Sequence, residues 1–145
     1  MRIRTVLAVS SVLVLAACGG STHGGASATD LTATRQACTA YQASVVKWSS
    51  ETAPLVTGRT SFSVAVYGEL AAWTTASAAE ENAEAQSAQV VAVHDALASA
   101  ASALDSVRDA LSAHDFGQFA ALFKGALTAA NANARAACAS ISAKS

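Results

Sequence analysis

The chain has 145 residues, 52% of them hydrophobic and 13% charged, with a net charge of -1 and about a quarter of its positions alanine. Nucleic-acid binding rests on clustered Lys and Arg that neutralise phosphates, and this balance excludes it. Abundant alanine and a single proline, Pro54, favour helix over strand, so the class is all-α.

The first element is an address. Arg2 and Arg4 precede an apolar run from Thr5 to Leu15, which ends in Leu15-Ala16-Ala17-Cys18. A basic start, a short apolar stretch and small residues before a cut describe a secretory signal. The run is too short for a membrane span, which needs about 20 apolar residues. Leu15-Ala16-Ala17-Cys18 resembles the lipobox of bacterial lipoproteins. That resemblance implies cleavage after Ala17, acylation of Cys18 as the mature N-terminus, and residence on the exported face of the cell membrane.

Residues 18–29 are rich in Gly and Ser and read as a flexible tether, with His23 a solvated residue within it. The mature chain of about 128 residues then fits one domain over 30–145. Of the three cysteines, lipidation of Cys18 leaves Cys38 and Cys138 as an even pair in an oxidising compartment, where a disulfide persists. No C-x-x-C, no C-x-x-C-H and no neighbouring histidine favours metal ligation or a catalytic thiol instead.

Asp30 is positioned to cap a first helix. Its stripe is Leu31, Thr34, Cys38, Tyr41, Val45 and Trp48, and Pro54 should end it. Thr57-Gly58-Arg59 reads as a turn. Thr60 or Ser61 can cap a second helix with Phe62, Val66, Leu70 and Trp73 on its apolar face. Glu80, Glu81 and Glu84 fit the start of a third helix, where negative charge meets the positive end of the helix dipole. Its stripe of Val90, Val93, Leu97, Ala100, Leu104, Val107, Leu111 and His114 is the cleanest in the chain.

Asp115 and Gln118 form a capping box for a fourth helix, whose face runs Phe116, Phe119, Phe123, Leu127, Ala130, Ala134, Ala137 and Ile141. Four helices with short connections predict an antiparallel four-helix bundle, alanine-rich, with Cys38–Cys138 joining the first and last. Facing residue numbers should then sum to roughly 176, which sets Tyr41 near Arg135 and Trp48 near Leu127 or Thr128.

The residues that invite chemistry have plainer readings. Glu80, Glu84 and Asp95 share a face only if their helix is continuous, and the Glu-x-x-His pairs of di-iron bundles are missing, so no metal or other cofactor is expected. His94 and His114 are about 200° apart on one helix and cannot share a ligand. His114 suits the negative end of a helix, and His94 borders the packed stripe. No G-x-S-x-G and no acid, base and nucleophile set points to an enzyme. Small residues at four-residue spacing, Gly68, Ala72 and Ala76 with Ala121, Gly125 and Ala129, fit close helix approach within the bundle, or else a dimer seam.

Two functions remain. One is a tethered, non-enzymatic module that binds an envelope component or an incoming protein. The other is a carrier of a small apolar molecule, with Trp48, Tyr67 and Trp73 as the lining.

Overall fold

A computed structural model describes residues 26–143, all of whose regular structure is helical. The helices are α1 (Ala28–Val56), α2 (Val64–Ser87), α3 (Val91–Ser112), α4 (Phe116–Leu122) and α5 (Thr128–Ser142). The last two are fused through a π-helical turn at Phe123–Leu127. Packing runs α1 on α2, α2 on α3, α3 on α4 and α5, and α5 back on α1. This is the antiparallel four-helix bundle, with α4, the π turn and α5 as its last arm. Cys18 and the lipobox lie outside the described residues.

Local chemistry moves several boundaries. Ser27, not Asp30, is the first cap. Its hydroxyl accepts from the Asp30 N–H at 3.1 Å while the Asp30 carboxylate accepts from the Ser27 N–H at 2.9 Å. Helix therefore covers Ala28 and Thr29, two positions expected in the tether. Pro54 does not stop α1, which runs to Val56. Leu55 and Val56 pack against the core, and their burial carries the helix past the proline. The turn follows, with Gly58 at a φ of 73° that its missing Cβ permits.

The cap of α2 is Ser63, whose hydroxyl accepts from the Val66 N–H, so neither Thr60 nor Ser61 holds that role. Phe62 lies before the helix rather than on its face. Its ring sits edge-on to Tyr67, 5.3 Å between centroids, which makes a hydrophobic staple across the cap. Tyr67, Leu70, Thr74, Ser77, Ala78, Glu81 and Ala85 form the buried face, while Val66 and Trp73 are half-buried.

Glu80, Glu81 and Glu84 belong to the last two turns of α2, not to the start of α3. The chain breaks at 88–90 with neither Gly nor Pro, and a long-range bond explains how. The buried Thr34 hydroxyl on α1 accepts from the Gln89 and Val90 N–H groups at 3.0 and 3.1 Å. It caps α3 from another helix, since Val90 has no side-chain cap of its own.

The α3 stripe is buried from Val93 to Leu111. At its end the Asp115 N–H donates to the Ala110 carbonyl and the His114 N–H to Leu111, a Schellman closure with His114 at a φ of 55°. His114 is thus outside the helix and exposed, stacked on Tyr67 at 4.8 Å. Asp115 caps α4 by accepting from the Gln118 N–H at 2.8 Å, while its own N–H is taken by Ala110, so the box is half made.

Cys38 and Cys138 are bonded, with Cα atoms 5.6 Å apart, and they join the first and last helices as expected. Tyr41 donates to Asn131 at 2.8 Å and also feels the charge of Arg135, the residue that a sum of 176 sets near it. Trp48 meets the ring of Phe123 at 5.8 Å and shares its core with Leu127. Gly68, Ala72, Ala76, Ala121, Gly125 and Ala129 are all exposed, so they do not bring helices of the bundle together. Their opposite faces carry the core.

Candidate functional site

Short connections place the start of α1, the disulfide and the end of α5 at one end of the bundle, and the α1–α2 and α3–α4 connections at the other. With 29 residues α1 is about 43 Å long, so the two ends are far apart. At the end remote from the chain entry there is an open cleft of about 340 Å³.

Three segments build the cleft. Val56 ends α1, and Arg59, Thr60 and Phe62 come from the connection that Gly58 turns back. Phe116, Phe119 and Ala120 come from α4, and Phe123 and Lys124 from the π turn. The Phe62 ring stands edge-on to Phe116 and Phe119, at 4.9 and 5.2 Å, so the aromatic wall is a packed network rather than loose rings. Phe119 is buried, and Phe62, Phe116 and Phe123 are half-buried, each with part of its ring left on the opening.

The π turn sets this wall. Thr128 donates its hydroxyl to the Phe123 carbonyl five residues back, at 2.8 Å, which occupies an acceptor the widened turn offers. Arg59 and Lys124 are exposed and both line the cleft, and no acidic residue does. The described ion pairs engage Lys47 and Arg108 alone, so neither cation of the cleft is neutralised by a carboxylate among the described residues.

Trp48, Tyr67 and Trp73 share one core cluster, and none of them lines this cleft. Trp48 is buried, donates its indole N–H to the Thr74 hydroxyl at 3.3 Å, and reaches the cleft only through the back of Phe123. Tyr67 is held in the staple beneath Phe62, and half-buried Trp73 packs on the core without lining the cleft. Phe116, Phe119 and Phe123 do carry the site, although their spacing reads as a core face. Both readings hold: the same rings pack inward and leave an edge outward. The signal sequence reasoning missed is Phe62 just before a cap, with two cations nearby.

A second cluster is buried where α1 packs on α2. Glu81 is only 1% exposed and its Oε2 has no partner; Glu84 Oε2 is also buried without one. Glu84 Oε1 accepts from the Ser44 hydroxyl at 2.7 Å, and Glu80 pairs with Lys47 at 2.7 Å. Burial, reinforced by the charges of Glu84 and Glu80, pushes the Glu81 carboxyl up to about 8. Burial raises Glu84 as well, against the Ser44 bond that lowers it. The Tyr41 phenol is raised by burial and by Glu81, with Arg135 opposing.

Among the described residues no group of three or more His, Cys, Asp or Glu side chains is disposed to hold a metal ion. Asp95 sits exposed on α3, on a different helix from Glu80 and Glu84. His94 is half-buried, its Nδ1 2.8 Å from the Ala85 carbonyl across the α2–α3 turn, which is a packing role. Glu81 is therefore a buried acid without a visible ligand space, and the cleft is the stronger candidate. The chain matches no protein-family model, no curated protein and no solved structure.

Proposed function

We propose that this chain is an exported lipoprotein, anchored in the cell membrane through acylated Cys18, whose helical domain is a non-enzymatic binding module at the cell envelope. One observation carries the reading. The chain enters the bundle at the disulfide end, and the aromatic cleft opens at the other, so a domain tethered by its N-terminus presents the cleft away from the membrane. Its partner is an envelope component or an incoming protein.

A photocrosslinker in place of Phe116 should capture a defined partner in cells carrying the acylated form, and a crosslinker in place of Ser140, at the tethered end, should not. Equal capture at both positions, or at neither, overturns the assignment of the cleft. Cys18→Ser should release the protein from the membrane fraction; if it remains bound as firmly as the parent, the lipobox reading fails. The cleft itself favours a second reading, a carrier of a small apolar ligand, with the phenylalanines rather than Trp48, Tyr67 and Trp73 as the lining.

A further inference from the structure

We infer that the cleft binds a small anionic amphiphile, a carboxylate on an apolar chain of about ten carbons, with the chain against Phe62, Phe116 and Phe123 and the head between Arg59 and Lys124. This rests on the second reading of the cleft and adds the chemistry of what it holds. Half-buried rings at an opening leave apolar surface that a ligand removes from water. The space of about 340 Å³ equals roughly eleven liquid water volumes, which suits an apolar body of that size. It lies at the small end of ligand pockets, too small for a polycyclic or double-chain lipid.

Charge selects the head. Two cations border the cleft, no acid lines it, and neither cation is engaged in an ion pair among the described residues. A guanidinium presents a planar fork that matches a carboxylate, and an ammonium adds a second charged donor. A cationic amphiphile would meet like charge, and a neutral one would leave the pair unused. The two cations come from different segments, Arg59 from the α1–α2 connection and Lys124 from the π turn. A bound anion would tie those segments together across the aromatic wall.

A reporter is already in place, because Trp48 packs 5.8 Å from Phe123 behind that wall. The full chain carrying Cys18→Ser, purified without detergent, is titrated with decanoate, decanol and decyltrimethylammonium below their micelle concentrations, in a Trp73→Phe background that leaves Trp48 as the one tryptophan. Decanoate should give a saturable fluorescence change with an affinity about ten-fold above the other two, the order expected for one charge-assisted pairing. Arg59→Gln with Lys124→Gln should bring decanoate down to the decanol level and leave the melting temperature unchanged. Decanol binding as tightly as decanoate, or decanoate binding that survives the double substitution, overturns the charge inference while the cleft stays a ligand site. No response to any of the three overturns the ligand reading altogether.

Discussion

Around Cys38 and Cys138 the core is made mostly of alanines with Val45, Val93, Leu97, Ile141, the ring of Tyr41 and the disulfide, whereas around Trp48 and Phe119 it is made mostly of rings and leucines. Tyr41 apart, the first half closes mainly on small side chains that bury little area each, and it adds a covalent bond, the Thr34 cap and a buried carboxylate. The second half has no such bond. Phe62 meets Tyr67, Phe116 and Phe119 edge-to-face, the other phenylalanine pairs are tilted, and the cleft opens beside them. Alanine gives a tight seam that needs outside reinforcement; phenylalanine gives cohesion with an opening.

Removing the reinforcement should have the largest effect. Cys38→Ala with Cys138→Ala reopens a separation of 100 residues, and the chain-entropy model puts the loss at about 4–5 kcal/mol. Calorimetry should show it, with hydrogen exchange quickening first in α5 near residue 138. Phe119→Ala strikes the other half: deletion of a buried ring should cost about 3–4 kcal/mol, with protection lost at the start of α2 and in α4 while the disulfide end stays protected. If either substitution loosens both ends alike, the halves are one cooperative unit.

The buried carboxylate gives the disulfide end a pH dependence. Glu81 titrates from an ordinary value of 4.5 in the unfolded chain to about 8 in the fold, so stability is complete below pH 4.5 and is lost as pH rises toward 8. At pH 7 the penalty is on the order of 3 kcal/mol. Denaturation at pH 4.5 and 7 should show the parent weaker at pH 7 and Glu81→Gln losing less over that range, with raised Glu84 supplying what loss remains. The smallest effect belongs to His114→Gly, which relieves a left-handed residue but removes the stack on Tyr67. The net change should stay within about 1 kcal/mol by calorimetry.

The same contrast explains what could be read from residue order. The α3 stripe from Val93 to Leu111 is set by local period, and Cys38 with Cys138 by parity, and both were legible. The end of α2 was not. Acidic residues ordinarily gather at helix starts, but Glu81 and Glu84 are placed by burial against α1. The break at 88–90 is fixed by Thr34, 55 residues back in the chain. Phe62 left its expected face because a staple to Tyr67 holds it better before the cap. The cleft stayed hidden for a related reason: its walls come from three separate segments, and a π turn that no periodicity announces aims Phe123 and Lys124 at it.

All three connections between the arms of the bundle, at 57–63, 88–90 and 113–115, fall between Cys38 and Cys138. A protease that cuts the backbone once in any of them therefore leaves two fragments on a single covalent frame. The nicked molecule keeps its N-terminal piece attached to the C-terminal one, shows no loss of fragments on a nonreducing gel, and comes apart only when a reductant is added.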